Sequence, residues 1–292
     1  MDRSAEKSAL RRYFLLHPRN FEENWYVYPV VSRRAGGVSI GVNLNPDRIC
    51  NFDCIYCQVD RRGSPSRRAV VLPRLKAELD DMLESVLSGQ LFQHPNFREV
   101  PATLRAARDI AFSGDGEPTS CPQFVEAVQL AANARANRGL TELKLVLITN
   151  ASLFHRENVR KGLRILDANN GEIWAKLDAG TEEYYRLVAR ANIKFSLILE
   201  NITQAARERP VVIQSLFMRI HGQPPSAGEL QAYCDRLNEI LSAGGKIKLV
   251  QIYTVARRPA ESFVTPLDAP EIQWIAQTVE QNTRVPIAVF LP

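Results

Sequence analysis

The sequence predicts an α/β fold built from parallel β-strands, because strand-like and helix-like segments alternate along the chain. Short apolar runs, typical of buried strands, are separated by segments whose apolar residues recur with a spacing near 3.6. Such alternation requires parallel βαβ units. The six predicted strands are Val38–Leu44, Asp109–Phe112, Leu143–Thr149, Glu172–Asp178, Val211–Met218 and Lys246–Thr254.

Several of the predicted helices have recognisable ends. An apolar stripe from Leu75 to Leu87 predicts a helix that Gly89 terminates. Ser226 and Glu229 have the spacing of a capping box, which predicts the start of another helix. The remaining predictions are a helical stripe at Phe195–Ile202, a last helix from Asp268 through Val279 and a terminal strand at Ile287–Leu291.

Length and composition are those of one globular domain. The 292 residues are 45% hydrophobic, which is enough for a sizeable core, and α/β barrels commonly reach this length undivided. We expect residues 1–37 to form an N-terminal extension on a core of residues 38–292 that ends with a helix and a strand.

The cysteines and the apolar runs indicate the compartment. No apolar stretch approaches the ~20 residues of a bilayer span, and no secretory signal is visible at the start. An odd number of cysteines, five in all with three clustered, argues against a disulfide framework. We therefore expect a cytoplasmic protein without a membrane partner.

The most informative motif is a group of three cysteines, Cys50, Cys54 and Cys57, in one predicted loop. The spacing CxxxCxxC supplies three thiolates, and the next histidine, His94, is far along the chain. An iron–sulfur cluster that only carries electrons normally has four cysteine ligands, so three leave one iron open to a ligand. The alternative is a structural zinc knuckle, which needs a fourth cysteine or histidine close by. The spacing favours the open cluster.

A second motif, Gly114–Glu117 (GDGE), follows the predicted strand Asp109–Phe112 and precedes a helix near Pro122. Glycines at the end of a strand allow the backbone to approach a ligand closely. Glu117 and the nearby carbonyl groups are acceptors suited to an amino group. The alternative is an ordinary strand-to-helix turn.

Together the two motifs resemble the radical S-adenosylmethionine (radical SAM) superfamily, which has a CxxxCxΦC loop and a Gly-Gly-Glu-Pro-like turn. Tyr56 occupies the aromatic position before the last cysteine. The resemblance covers roughly residues 38–255. It implies an α/β fold, the incomplete (β/α)6 TIM-like barrel of the radical SAM type with a short N-terminal extension. Both motifs follow strands, so we expect them at the C-terminal ends of those strands, where barrels of this type carry their sites.

The resemblance also implies two cofactors, a 4Fe–4S cluster and S-adenosyl-L-methionine (SAM). Cys50, Cys54 and Cys57 would bind the cluster, and an external electron donor of the flavodoxin or ferredoxin type would reduce it. The cluster would cleave SAM to methionine and a 5′-deoxyadenosyl radical that abstracts hydrogen from substrate. The residues expected to bind SAM are Tyr56, Gly114, Asp115, Gly116, Glu117, Thr149, Asn150 and Asp178.

Some of these residues are also compatible with a purely structural role. Asn150 fits equally well as a turn residue at the start of the following helix. Lys176 and Asp178 share one face of a predicted strand, where charges are costly unless paired, so a simple ion pair is the alternative to a functional role. The candidate catalytic residues are Lys176, Gln251, Tyr253 and Arg257.

Three further segments resemble the iron–sulfur oxidoreductases related to the tRNA wybutosine-synthesis enzyme. They are Gly116–Thr119, Leu177–Tyr185 and Val250–Arg257. That tRNA enzyme carries additional cysteines before the radical motif, whereas no cysteine here precedes Cys50. The sequence departs from the wybutosine pattern at this point.

Three functions agree with these features. The first is a radical SAM enzyme with an unidentified substrate, RNA or a modified nucleoside being one candidate. The second is a glycyl-radical enzyme activase, which would share the same motifs. The third is a non-catalytic iron–sulfur electron carrier or a zinc-binding module, which has no need of the Gly-Glu turn.

Charge adds one indication about the substrate. The net charge of +5 permits an anionic partner, and two arginine pairs, Arg61-Arg62 and Arg67-Arg68, follow the cysteines. A solvated basic surface is the alternative. The sequence assigns no role to Cys121 or Cys234.

Overall fold

A computed structural model describes Tyr13, residues 21–61 and residues 69–291. These residues form two compact units. The first consists of Tyr13 with residues 21–49, 69–147 and 158–171, and the second of residues 50–61, 148–157 and 172–291. Arg62, Arg67 and Arg68 lie outside the described residues.

The first unit is built on strands in the order β1-β2-β3-β4. The pair β1–β2 is antiparallel, whereas β2–β3 and β3–β4 are parallel. The strands are β1 (Val27–Ser32), β2 (Gly37–Val42), β3 (Ala107–Phe112) and β4 (Lys144–Thr149), of which β4 ends in the second unit. The helices are α1 (Leu72–Leu87), α2 (Phe124–Ala136) and α3 (Glu157–Asp167).

Strand β1 lies within the segment that the sequence assigned to an N-terminal extension, and it pairs with β2 over its whole length. The boundary at residue 37 stays a prediction. A buried carboxylate connects the start of β1 to helix α1: Glu78 accepts hydrogen bonds from the backbone N–H groups of Trp25 (2.8 Å), Tyr26 (2.8 Å) and Val27 (3.2 Å). By accepting from these three N–H groups, the carboxylate offsets the free-energy cost of burying them without water at the start of the strand.

The second unit is built on parallel strands in the order β5-β6-β8-β10. A two-residue antiparallel ladder of β7 and β9 accompanies them. The strands are β5 (Gly171–Lys176), β6 (Val211–Leu216), β7 (Arg219–Ile220), β8 (Ile247–Tyr253), β9 (Val264–Thr265) and β10 (Ile287–Phe290). The helices are α4 (Glu182–Ala189), α5 (Phe195–Glu208), α6 (Ala227–Ser242) and α7 (Ala269–Thr283). The predicted terminal strand is confirmed.

The capping motifs are confirmed only in part. Asp268 and Glu271 form a complete capping box at the start of α7. At the start of α6, Ser226 accepts a hydrogen bond from Glu229 N (3.1 Å), but the carboxylate of Glu229 does not complete the box. It accepts instead from Gly180 N (2.5 Å) and from Thr181 Oγ1 (2.6 Å). The Ser226–Glu229 prediction is therefore right about the helix start and wrong about the reciprocal bond, because Glu229 is the acceptor for the loop after β5.

None of the helices that the structure describes combines the length and the apolar character that a membrane crossing requires.

Candidate functional site

The cysteine loop, defined as residues 50–57, belongs to the second unit, and its backbone is firmly held. Asp53 N donates to Ala189 O (3.0 Å) and Ile55 N donates to Val188 O (3.0 Å), at the end of α4. Ile55 O accepts from Glu261 N (3.2 Å). Ile55 is fully buried in an apolar cluster that includes Val188. The loop is therefore fixed by main-chain bonds and packing.

The three cysteines of this loop remain partly exposed. None of Cys50, Cys54 and Cys57 forms a disulfide. Burial, with smaller contributions from the Asp178 and Cys57 charges, raises the pKa of Cys54 to about 12. Arg61 Nη2 lies 3.4 Å from Cys57 Sγ. The Arg61 guanidinium therefore donates a hydrogen bond to the sulfur of Cys57.

Three polar side chains join the cysteine loop to the turn after β4. Asn51 Nδ2 donates to Ser152 Oγ (2.7 Å), Ser152 Oγ donates to Asn150 Oδ1 (2.6 Å), and Asn150 Nδ2 donates to Asn51 Oδ1 (2.8 Å). These bonds close a ring, which we call the asparagine ring. It orients the residue next to Cys50.

The turn that carries the asparagine ring is itself unusual. Ala151 has a φ of +60°, a left-handed conformation that costs about 1 kcal/mol for alanine. Its carbonyl accepts a hydrogen bond from Asn201 Nδ2 (2.8 Å), and Thr149 Oγ1 accepts one from Ala151 N (3.0 Å). The surrounding bonds hold this strained residue in place. Thr149 and Asn150 therefore take part in the hydrogen bonds of the turn, and the assignment of either residue to SAM stays a prediction.

A second polar network begins at Tyr56, which is buried beside the cysteines. Its hydroxyl donates to Asp178 Oδ2. Asp178 Oδ1 accepts from Leu216 N (2.8 Å), and Lys176 Nζ lies 3.3 Å from Asp178 Oδ2. The ion pair expected between Lys176 and Asp178 is present, and Tyr56 extends it to the cysteine loop.

The network continues from Lys176 along β8. Lys176 Nζ donates to Tyr253 OH (3.0 Å), Tyr253 OH donates to Gln214 Oε1 (3.3 Å), and Gln214 Nε2 donates to Gln251 Oε1 (3.1 Å). Burial alone would lower the pKa of Lys176, but Asp178 and Tyr253 raise it above its ordinary value. The ammonium is thus held protonated, and the structure brings together three of the four candidate catalytic residues.

Arg257, the fourth candidate, follows β8. Its carbonyl accepts a hydrogen bond from Gln58 Nε2 (3.3 Å) just after the cysteine loop. The backbone of Arg257 therefore contacts a neighbour of the loop.

The glycine turn, defined as residues 114–117, lies in the first unit after β3. A Cβ atom on Gly116 would lie 2.1 Å from Ile49 O and 2.7 Å from Asn45 Cγ. A Cβ on Gly114 would lie 2.3 Å from Asn43 Oδ1. Both glycines are therefore required because the turn packs against the chain that follows β2.

Side chains complete the glycine turn. Asn43 Oδ1 accepts from the N–H groups of Asn45 (3.0 Å) and Asp115 (3.1 Å), and Asn43 Nδ2 donates to Asp115 Oδ2 (2.8 Å). Glu117 is buried, and its Oε1 accepts from both the N–H (3.1 Å) and the hydroxyl (2.5 Å) of Thr119. That oxygen of Glu117 therefore caps the short 3-10 helix at Pro118–Ser120.

The remaining cysteines are buried and lie in different settings. Cys234 is completely buried on α6, and Cys121 Sγ lies 3.6 Å from Gln123 Oε1. In the part of the chain that the structure describes, no three or more His, Cys, Asp or Glu side chains are grouped to hold a single metal ion. That arrangement is what a mononuclear zinc site needs, whereas a 4Fe–4S cluster can bind each thiolate through a different iron.

Sequence reasoning missed the asparagines that support both motifs, Asn43, Asn45 and Asn51. The only signal available was their position, directly after a predicted strand and within the cysteine motif. Their partners, Asp115, Ser120 and Ser152, are distant in the sequence, so periodicity does not connect them.

Comparison with known proteins identifies a family. The model of the radical SAM superfamily matches residues 44–230. The chain is 23% identical over 265 residues to a protein named GTPase Obg from Brachyspira hyodysenteriae, covering 89% of this chain and 34% of that protein. It is 28% identical over 217 residues to a UPF0026 protein from Helicobacter pylori, covering 74% of this chain and 62% of that protein.

The chain thus spans between a third and two thirds of the length of these two relatives. It contains no GxxxxGK[ST] nucleotide-binding motif. Among solved structures, TYW1 with a lysine-pyruvate adduct bound superposes with a TM-score of 0.53 at 14% identity. The superposition covers 97% of this chain and 90% of that one. A likeness at this identity concerns the fold alone.

Proposed function

Because the chain belongs to the radical SAM superfamily, we propose that Cys50, Cys54 and Cys57 bind its 4Fe–4S cluster and that the glycine turn binds SAM. The protein is a radical SAM enzyme with the α/β, incomplete (β/α)6 barrel fold of that superfamily. Its cofactors are a 4Fe–4S cluster and SAM. When bound, they supply a one-electron cleavage of SAM that starts hydrogen abstraction from a substrate.

The observation that carries this proposal is the cysteine loop. It offers three partly exposed cysteines on a backbone fixed by bonds to Val188, Ala189 and Glu261. This donor set fits a cluster with three protein ligands, since thiolates are the usual ligands of such clusters. The asparagine ring and Arg61 then act as positioning groups for the loop.

The residues of the polar network have separate roles in this proposal. Tyr56 and Asp178 fix the loop from one side, through the bond between the hydroxyl and the carboxylate. Lys176 supplies a positive charge whose position is set by Asp178 and Tyr253. Since that ammonium stays protonated, it is suited to orienting an anionic or carbonyl oxygen and unsuited to nucleophilic attack.

The decisive experiment measures iron and sulfide in anaerobically reconstituted protein. We expect about four irons and four sulfides per chain in the wild type and their loss in Cys54→Ala. The matched controls are Cys121→Ala and Cys234→Ala, which remove buried thiols outside the loop and should keep the cluster. Stoichiometric zinc without sulfide in the wild type would refute the proposal and support a zinc-binding module.

We further propose that the substrate of the enzyme is RNA or a modified nucleoside. The support is the net charge of +5 and the arginine pairs after the cysteine loop. The structural similarity to TYW1 supports the fold on which such an activity would be built.

A binding titration with tRNA at several salt concentrations tests this substrate class. Phosphate contacts make log K fall with log salt, with a slope of about 0.7 to 0.9 for each phosphate neutralised. Arg67→Ala with Arg68→Ala should reduce the slope, whereas the matched double variant Arg33→Ala with Arg34→Ala should leave it unchanged. Absence of tRNA binding at low salt would exclude RNA and favour a small molecule or a protein substrate.

Radical SAM enzymes generally need an external electron donor. We propose a flavodoxin or ferredoxin for this role, and a cytoplasmic location on the basis of the cysteine content. Reduction of the reconstituted cluster by a purified flavodoxin, followed by electron paramagnetic resonance, tests the donor.

A further inference from the structure

One buried polar atom at the glycine turn has no hydrogen-bond partner anywhere in the described residues. It is Oδ1 of Asn45, a residue only 6% exposed. A buried acceptor without a partner is costly, and most such atoms in native proteins are satisfied. A hydrogen-bond donor on a bound ligand would remove that cost.

The orientation of the Asn45 amide is fixed by its neighbour Ser120. Ser120 Oγ has one hydrogen, and it donates that hydrogen to Glu117 O (2.7 Å). The amide group that faces Ser120 Oγ at 3.1 Å must therefore be the donor, Nδ2. A flipped amide would leave two acceptors facing each other, so the group without a partner is an oxygen.

The Asn45 amide lies directly against the glycine turn. A Cβ atom on Gly116 would come within 2.7 Å of Asn45 Cγ, so no side chain separates the amide from the backbone of the turn. The backbone N–H of Asn45 is itself held by Asn43 Oδ1 (3.0 Å). The unpartnered acceptor thus lies beside the turn to which we assign SAM.

The local charges favour a cationic donor. Asp115 and Glu117 belong to the turn, and Asp47 lies two residues after Asn45 and precedes Arg48. Acidic residues therefore outnumber basic ones by three to one in residues 45–48 and 114–117. Burial, assisted by the carboxylates of Asp47 and Glu126, raises the pKa of nearby Cys121 to about 11. Negative charge at this place makes a positively charged ligand group more favourable than a neutral one.

We propose that Asn45 Oδ1 accepts a hydrogen bond from the amino group of SAM. This inference rests on the proposed function, which places SAM at the glycine turn. Among the donors of SAM, the ammonium is the one that carries charge and requires several acceptors. Asn45 would be a specificity-determining residue that recognises the amino group.

The test compares SAM with its desamino analogue, in which hydrogen replaces the amino group, by equilibrium dialysis on the reconstituted protein. Asn45→Leu keeps the approximate volume and removes the acceptor. We expect the Kd for SAM to rise about tenfold or more, as for the loss of a hydrogen bond to a charged group. The Kd for the desamino analogue should not change.

Asn43→Leu is the matched control, because Asn43 is also buried but its amide is used within the turn. Asn43→Leu should raise the Kd for SAM and the Kd for the desamino analogue by the same factor. A second variant, Asn45→Asp, should increase the preference for SAM over the analogue, because a carboxylate attracts the ammonium more strongly. This variant also covers the case in which Asn45→Leu does not fold.

The outcomes separate this inference from the proposed function. The role of Asn45 is refuted by two results together. One is that Asn45→Leu changes the Kd for SAM and the Kd for the analogue by the same factor or leaves both unchanged. The other is that Asn45→Asp leaves the preference for SAM over the analogue unchanged. If the wild type binds neither ligand, the assignment of SAM to the glycine turn fails, and the inference fails with it.

Discussion

The glycine turn and the cysteine loop are held in place in different ways. In the glycine turn, close packing at Gly114 and Gly116 excludes side chains at these two positions, and the buried acceptor Asn45 Oδ1 has no hydrogen-bond partner among the described residues. In the cysteine loop, hydrogen bonds from the backbone and from Asn51 fix the chain, and the thiols stay partly exposed. The comparison teaches that the glycine turn requires two positions without side chains, whereas the cysteine loop is fixed by main-chain bonds and by one ring of side chains.

Substitution of Gly116 tests this comparison most strongly, because it should cause the largest loss of stability. In Gly116→Ala, the new Cβ would meet Ile49 O, a backbone atom that cannot move alone. We expect a loss of about 3 kcal/mol or more in the free energy of unfolding. Urea unfolding of the cofactor-free protein measures it.

The matched control is Gly228→Ala on α6, where the nearest atom to the new Cβ is 3.9 Å away. Alanine is the better helix former, so this variant should gain up to about 1 kcal/mol. Equal urea-unfolding midpoints for Gly116→Ala and the wild type would show that the glycine turn is not tightly packed.

A smaller effect is expected from the asparagine ring. Asn51→Ala removes one member and leaves Asn150 Nδ2 without the acceptor that it uses in the ring. We expect a loss of about 1 to 3 kcal/mol in the free energy of unfolding and faster loss of iron from the reconstituted protein on exposure to a chelator. The control, Asn133→Ala, changes an exposed asparagine on α2 and should alter neither quantity. If iron loss is unchanged in Asn51→Ala, the ring does not support the loop.

The smallest effect concerns pH and Glu229, which holds the loop after β5. Burial raises the pKa of Glu229, although bonds from Gly180 and Thr181 partly oppose it. A raised pKa in the folded state means that the folded protein binds the proton more tightly than the unfolded chain. The contribution of Glu229 protonation to the free energy of unfolding is therefore complete below the ordinary glutamate pKa, about 4.3. It is lost as the pH rises through the higher pKa of the folded state.

Urea unfolding of the wild type and of Glu229→Gln between pH 4 and pH 7 tests this sign. The difference in free energy, wild type minus variant, should fall as the pH rises, because glutamine does not titrate. A difference that rises over this range would mean that the bonds from Gly180 and Thr181 outweigh burial.

The sequence was sufficient to predict the parallel strands β2, β3, β4, β5, β6 and β8, because each is a short apolar run and a helix separates it from the next of these strands. It was insufficient for β1, whose apolar run contains Pro29. Proline within a strand pattern counts against strand formation, but β1 is the first strand of its sheet order and pairs through one side, with Pro29 opposite Ile40. An edge position tolerates the missing N–H.

In the candidate site, too, the sequence could predict only what a local pattern connects. Cys50, Cys54 and Cys57 could be singled out because they are adjacent in the sequence, and their assignment as ligands stays a prediction. Lys176 and Asp178 could be paired because they share a strand face. The bond from Tyr56 to Asp178 and the orphan oxygen of Asn45 depend on which segments meet in three dimensions, and no local pattern encodes that.

The bonds that fix the cysteine loop also set an order of events during biosynthesis. Asp53 and Ile55 are translated early, but their partners, Val188, Ala189 and Glu261, are translated much later. Contacts between segments so distant in the chain form only after most of it has left the ribosome. A nascent chain therefore exposes its three thiols before they have a defined arrangement. Delivery of iron and sulfide for the proposed cluster would consequently follow completion of the second unit, and premature oxidation of the thiols would compete with it.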